Sequence, residues 1–370
     1  MNDLIRANAG LLFAGVATFV VMGAGQSLYG PALPAFSRAF GVTVAEAGVL
    51  ISAHWVGCFL GVGMMFLRGG GIAPRTTLVL MALGAGGVAA MAGWWLTVGA
   101  AVIFGIGYGM STAVFNPRVL RAFGERGPSM LSLLNATFGV GAIAAPLVFV
   151  AVGSDPRWSF GLTGGLCGLI WFGAGAAGRV GTTPVGATRA FRPDWMILAF
   201  GMMAIGLEAS LIGLGPTALI QTGLAEPRAA ELLSAFFVVL LLARVALIFT
   251  AHRVAPFTLF TLAMAGAMAG AMAGALGAAA LSPAVFFVAM GAPAGLFFPG
   301  FHVTASARIG EDIRVPPTII AAGLVGGIVA PLIVAPLMDG IGGRGFFWLI
   351  VGVTLRMTGL ALLARRQIQV

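Results

Sequence analysis

Lysine is absent from this chain of 370 residues, so arginine supplies all twenty basic side chains, against eleven acids. The net charge of +9 could indicate a nucleic-acid surface, but the arginines are scattered singly between apolar runs rather than gathered into a patch. Charged residues are only 8% of the chain and hydrophobic residues are 59%, far outside the range of a soluble domain of this length. The composition argues against a nucleic-acid partner and predicts a polytopic membrane protein.

Residues that carry metal, thiol or nucleotide chemistry are also scarce. The two cysteines, Cys58 and Cys167, fall inside apolar runs, which argues against a disulfide framework. The three histidines show no HExxH spacing, and no phosphate-cradling GxxxxGK[ST] loop is present. We therefore expect no metal, no cofactor and no ATP hydrolysis. A membrane-embedded enzyme should show clustered acids, bases and metal ligands near one interface, and a sensor should carry a soluble domain. The sequence shows neither.

Long apolar runs fill most of the chain. Each is long enough to cross a hydrocarbon core of about 30 Å as a helix. We number them spans 1 to 12, near residues 9–34, 45–67, 76–95, 97–120, 128–152, 157–177, 195–222, 229–251, 256–276, 278–304, 315–338 and 343–364. The prediction is an all-α membrane protein of twelve transmembrane helices in two six-helix bundles, 1–178 and 195–370, joined by a cytoplasmic linker at 179–194.

The arginines between spans are distributed unequally between the two sides of the membrane. With the N-terminus in the cytoplasm, the outer side receives only four. The inner side receives Arg6, Arg68, Arg75, Arg118, Arg121, Arg126, Arg179, Arg189, Arg192, Arg253, Arg308, Arg314, Arg365 and Arg366. This positive-inside bias predicts that both termini are cytoplasmic. We expect a monomer in the inner membrane whose partners are the lipid bilayer, a small-molecule substrate and protons.

The two sets of six spans look like copies of one another. Sliding the chain by 182 residues sets Gln26 on Glu208 and Pro34 on Pro216. A shift of 185 sets "GAIAAPL", which contains Pro146, on "GGIVAPL", which contains Pro331. Repeated six-helix halves are typical of secondary transporters, whose substrate sites lie near the bilayer midplane between the halves.

This pattern resembles the major facilitator superfamily over essentially the whole chain. The resemblance implies that spans 1, 4, 7 and 10 line a central cavity and that the two halves rock to open it to each side in turn. We assign gating or structural roles to Arg68 and Arg75, in the reduced loop "LRGGGIAPR", and to Pro146, Arg244 and Pro331.

All four expected cavity spans carry polar side chains. On span 4, Tyr108, Thr112 and Asn116 recur every four residues along one helical face. The predicted substrate-binding set is Gln26, Tyr29, Tyr108, Thr112, Asn116, Asn135, Glu208 and His302. The alternative is that these groups only hydrogen-bond between helices, which is the role we expect for His54.

Glu208 is the most costly of these residues to place in a membrane. An acid at the centre of a span costs about 2.5 to 3.5 kcal/mol and usually faces a bundle interior or an aqueous cavity. Three roles are open from the sequence: a proton carrier, a hydrogen-bond partner for the substrate, or a static ion pair with Arg244 on span 8.

Several motifs resemble the fucose-permease-like branch of the superfamily. They are "LYGPALPAFSRAF" on span 1, the pair Asn116 and Pro117, "LNATFGVGA" on span 5, and the Gly-x-Glu of Gly206 and Glu208. This resemblance implies uptake of a sugar-like or other small polar metabolite by proton symport. The places where that branch carries acids on spans 1 and 4 read near Gly30 and near Ser111 or Thr112, which leaves Glu208 as the main proton-coupling candidate. The rival within transporters is an exporter of drugs or amphipathic metabolites, which cavity walls formed by Phe115, Phe297, Phe298 and Phe301 would suit.

Overall fold

The structure is a computed structural model that describes residues 2–68, 72–179, 191–277, 283–310, 312 and 314–368. Within these ranges the regular structure is helical. In chain order, the α-helices are α1 (Asn2–Ala7), α2 (Ala9–Phe40), α3 (Val44–Ala47), α4 (Val49–Arg68), α5 (Pro74–Ala90), α6 (Trp94–Phe123), α7 (Gly127–Ala151), α8 (Pro156–Gly173), α9 (Trp195–Gln221), α10 (Glu226–Thr250), α11 (Pro256–Leu276), α12 (Pro283–Ala289), α13 (Gly291–Ile309) and α14 (Val315–Ile368).

The chain forms two compact units. Unit 1 comprises Met1–Val42 and Val49–Pro184, and unit 2 comprises Thr43–Gly48 and Val185–Val370. Of the predicted linker, residues 180–190 lie outside the described ranges.

Nine helices in the described ranges are long and apolar enough to cross a membrane. One of these, α14, is 54 residues long and is broken at Gly342, whose φ of 67° is non-helical, so it accounts for spans 11 and 12. Two helices at predicted spans are short: α5 has 17 residues and α8 has 18. The chain is therefore a multi-pass helical membrane protein, and the number of twelve crossings stays a prediction.

Local chemistry sets several helix ends. Asp194 caps the N-terminus of α9 by accepting hydrogen bonds from the amides of Met196 and Ile197. Helix α2 ends at Gly41, which adopts the left-handed conformation that glycine tolerates. The helix runs six residues beyond the predicted end of span 1 because Pro31 and Pro34 are accommodated inside it.

Glycines let the helices of unit 1 pack backbone to backbone. A methyl group at Gly141 of α7 would overlap the carbonyl of Val20 on α2, and one at Gly23 would overlap the carbonyl of Phe138. On α6, Gly105 approaches the carbonyl of His54 on α4 in the same way. Close approach of small residues is a main source of helix association in lipid, and here it fixes the side chains of α2, α4, α6 and α7 relative to one another.

Candidate functional site

In unit 1, the site is built around a hydrogen bond between two predicted residues. The hydroxyl of Tyr108 on α6 donates to Oε1 of Gln26 on α2 over 2.7 Å. This bond fixes the orientation of the Gln26 amide, because its oxygen is held and its NH2 group must point the other way. Gln26 is half-buried, so its amide nitrogen is in reach of a solute.

Aromatic rings surround this pair. Tyr108 lies edge-on to Trp55 of α4, with ring centroids 6.4 Å apart, and edge-on to Phe138 of α7 at 6.5 Å. Trp55 and Phe138 are both half-buried. We call Gln26, Trp55, Tyr108 and Phe138 the unit 1 cluster. It combines a fixed amide with aromatic faces and edges.

Tyr29 and His54 lie behind the cluster rather than on its open side. Both are almost fully buried, and their rings are 5.3 Å apart. His54 also contacts the ring of Tyr108 at 5.0 Å, and its Nε2 lies 3.6 Å from Sγ of Cys58. Among the described residues, the Tyr29 hydroxyl and Nδ1 of His54 have no hydrogen-bond partner. We expected His54 to donate a hydrogen bond to another helix. This expectation is wrong for the described residues, because Nδ1 has no partner and Nε2 lies next to Cys58 of the same helix.

The other predicted polar residues of unit 1 have different environments. The Thr112 hydroxyl donates to the carbonyl of Gly109 in its own helix. Asn116 is half-buried, and its Oδ1 is buried without a partner among the described residues. Asn135 is exposed and donates to Leu131 of its own helix. The structure does not place Asn135 in the cluster. Phe138, one turn further along α7, is there instead.

Unit 2 contains an ion pair within its spans. Oε1 of Glu208 on α9 lies 3.6 Å from an Nη of Arg244 on α10, with side-chain exposures of 15% and 33%. Nε of Arg244 also donates to the carbonyl of Gly295 on α13 over 3.1 Å. Arg244 therefore links three helices. Its distance to Glu208 exceeds the 2.7 to 2.9 Å of a charge-assisted hydrogen bond. The pair is therefore an ionic contact without a hydrogen bond.

His302 lies on α13 and is half-buried. Its ring contacts that of Phe298 at 5.2 Å. The expectation that phenylalanines line apolar cavity walls is wrong for three of the four residues, because Phe115, Phe297 and Phe301 have no exposed surface and belong to the packed core. Phe298 alone is half-buried.

Charged side chains also join helix ends in unit 2. Arg308, near the end of α13, contacts Asp194 at 2.6 Å and donates to the carbonyl of Gln367 on α14. Partial burial raises the pKa of the Asp194 carboxyl, but hydrogen bonds from Arg308 and from two backbone amides outweigh it, and the pKa lies below its usual range.

The other predicted gating and structural residues lie at helix ends or inside helices. Arg75 donates to the carbonyls of Trp171 and Phe172 at the end of α8 and lies 4.8 Å from the centroid of the Trp171 ring. Arg68 ends α4, but its side chain lies outside the described residues. Pro146 and Pro331 lie inside α7 and α14. The described part of the chain holds no group of three His, Cys, Asp or Glu residues that could bind a metal.

The sequence-based prediction missed Trp55. Its position next to His54 on span 2 gave no sign of function, because span 2 is not expected to line a cavity. Three glycines could have indicated the role of Trp55: Gly57 on α4, and Gly105 and Gly109 on α6. At these glycines the two helices approach closely enough to bring Trp55 into contact with Tyr108.

Comparisons with known proteins agree with this architecture. The family model described as Major Facilitator Superfamily matches residues 15–315. The fold is similar to that of the nucleoside transporter NupG in a mutant form, with a TM-score of 0.77 at 12% identity, covering 96% of this chain and 99% of that one. It is similar to a D-xylose-proton symporter, with a TM-score of 0.74 at 14% identity and coverages of 95% and 96%.

The fold is also similar to that of the Escherichia coli fucose:proton symporter FucP, with a TM-score of 0.63 at 17% identity and coverages of 95% and 98%. No curated protein sequence matches the chain. The family match extends over most of the chain, from α2 to the start of α14, and confirms the resemblance inferred from the repeated spans. The protein belongs to the Major Facilitator Superfamily, and is therefore a membrane transporter rather than an enzyme.

Proposed function

We propose that the protein is a secondary active transporter that moves a small polar solute by alternating access and couples this movement to protons through Glu208. The observation that carries the proposal is the contact of 3.6 Å between Glu208 and Arg244 inside the spans of unit 2. An acid in a transmembrane segment marks a functional site by default, with its partner named.

The ion pair suggests how a proton could be coupled to a change in helix contacts. When Glu208 is ionised, it attracts Arg244, which also holds α13 through Gly295. Protonation of the carboxyl removes that attraction and leaves Arg244 held by Gly295 alone. A proton would therefore change the link between α9 and α10 without breaking the link between α10 and α13.

The similar structures support proton coupling. Two of the similar structures are, by name, symporters of protons with D-xylose or fucose. We infer import across the inner membrane by a monomer with both termini in the cytoplasm, in keeping with the arginine distribution. An exporter of amphipathic metabolites is the rival, but the burial of Phe115, Phe297 and Phe301 removes the feature that favoured it.

The test uses purified protein in liposomes that contain a pH indicator. D-xylose, L-fucose and uridine are added in turn under an inward proton gradient, and proton entry and solute accumulation are recorded. We expect one of these probes to accumulate with the wild type. Glu208→Gln should abolish the accumulation, because an amide cannot carry the proton, while counterflow without a gradient persists.

The matched control is Glu231→Gln, which makes the same substitution in an exposed pair with Arg228. This variant should accumulate solute like the wild type. Full accumulation by Glu208→Gln at several pH values would rule out Glu208 as the proton carrier.

A further inference from the structure

We propose that the transported solute is uncharged and contains a flat heteroaromatic ring, as a nucleoside does, and that the unit 1 cluster binds this ring. The inference rests on the proposed transport function and assigns its substrate class. Three features of the cluster support this assignment: its lack of charge, its aromatic surface and its hydrogen-bonding groups.

The first feature is the absence of charge around the cluster. The segments that supply its residues contain no Asp, Glu, Lys or Arg over 7–37, 47–67, 76–117 and 127–154. A solute with a net charge would lose its hydration there without gaining a counter-charge, which is costly in a low-dielectric site. Unit 1 therefore favours an uncharged solute.

The charges inside the spans of unit 2 do not change this preference. Glu208 and Arg244 lie 3.6 Å apart and balance each other. While Glu208 is ionised, the pair therefore offers a nucleotide or a sugar acid no net positive charge.

The second feature is the aromatic surface. Trp55 and Phe138 are half-buried, and both stand edge-on to Tyr108. The glycine contacts between α4 and α6 and between α2 and α7 hold these rings in place. Flat rings of a solute gain from stacking on such preorganised aromatic faces, and nucleobases do so whatever their identity.

The third feature is the free hydrogen-bond donor of Gln26. Tyr108 holds the oxygen of the Gln26 amide, and the NH2 group of Gln26 has no partner among the described residues. This donor suits a carbonyl or ring nitrogen at the edge of a base.

The experiment measures binding of radiolabelled uridine to the purified protein in lipid nanodiscs, with unlabelled competitors. Uridine should be displaced by other nucleosides, and neither uridine monophosphate nor D-xylose should compete at tenfold higher concentration. The monophosphate keeps the ring but adds charge, whereas D-xylose keeps the hydroxyls but lacks the ring. Competition by either at the same concentration as uridine would overturn the proposal.

Two variants locate the ring. Trp55→Leu should weaken uridine binding by about tenfold or more, the loss expected for one base stacked on an aromatic side chain. Its control is Trp95→Leu, because Trp95 is 76% exposed and lies outside the cluster, and this variant should bind like the wild type. Gln26→Ala should also weaken binding, and Trp55→Phe should restore most of it relative to Trp55→Leu. Wild-type binding by both Trp55→Leu and Gln26→Ala would contradict the assignment.

Failure of this inference can be told apart from failure of the transport proposal. If D-xylose or L-fucose accumulates in a Glu208-dependent way but uridine does not bind, the transport function stands and the substrate class is wrong. If uridine binds but no probe moves with protons, the substrate class stands and the coupling is wrong.

Discussion

At the scale of single residues, two acids of unit 2 have opposite surroundings. Glu208 lies within a span and faces Arg244 without a closed hydrogen bond. Asp194 lies before the first turn of α9, where Arg308 and two backbone amides donate to it. A change in the charge of Glu208 would alter the contact between α9 and α10. Asp194, in contrast, is a capping residue that stabilises the fold.

Asp194 should make the stability of the protein depend on pH. Because the folded state lowers the pKa of this carboxyl, its contribution is complete above the unfolded value of about 3.9 and is lost as the pH falls through the folded value. Asp194→Asn should therefore lower the melting temperature at pH 7, because asparagine still caps α9 but loses the charge that pairs with Arg308. The loss should correspond to a partly exposed ion pair worth up to about 1 kcal/mol. The difference should shrink at pH 3, which lies below the unfolded value.

The measurement is thermal unfolding of both proteins in the same detergent at the two pH values. Asp339→Asn is the control, since Asp339 is exposed on α14. An equal difference between Asp194→Asn and the wild type at pH 7 and pH 3 would show that the ionised carboxylate is not what stabilises α9.

At the scale of helices, backbone contact at glycines decides how the elements of unit 1 pack. Gly141 of α7 lies against the backbone of Val20 on α2, whereas Gly165 of α8 has open space where a methyl group would be. The sequence marks both as glycines in apolar helices and does not distinguish them. Only the packed structure shows that one is required and the other is not.

Gly141→Ala should destabilise the protein by about 1 to 3 kcal/mol, because the added methyl group must push two helix backbones apart. Gly165→Ala should be neutral or slightly stabilising, since alanine is the better helix former. Melting temperatures of the two variants and the wild type check this pair. A Gly141→Ala variant as stable as Gly165→Ala would contradict the close contact between α2 and α7.

At the scale of the whole molecule, the arginine distribution predicts the topology. Fourteen arginines fall on one predicted side of the membrane and four on the other, so both termini should be cytoplasmic. Green fluorescent protein fused after residue 370 should fluoresce, and alkaline phosphatase fused there should be inactive. Fusions at Gly153, in a predicted outer loop, should give the reverse. Active phosphatase after residue 370 would mean an odd number of crossings or an inverted orientation.

The sequence by itself determined the class of the protein. Twelve apolar runs with almost no charge are stable in a bilayer, and there they must be helical because a helix satisfies its own backbone hydrogen bonds. The repeated halves also determined the family, since an internal repeat is preserved in the order of residues along the chain. The sequence also predicted Gln26, Tyr108 and Glu208 as site residues, because placing a polar group in an apolar transmembrane helix costs free energy and usually marks a function.

Only the tertiary structure decided which of these groups meet. It paired Tyr108 with Gln26 and Glu208 with Arg244, and it brought in Trp55. It also showed that Asn135 lies outside the unit 1 cluster and donates a hydrogen bond within its own helix. The physical reason is that helical periodicity gives the face on which a side chain lies, while the neighbour of that face depends on how closely two backbones approach. Those approaches are set by glycine contacts between segments that are distant in the sequence.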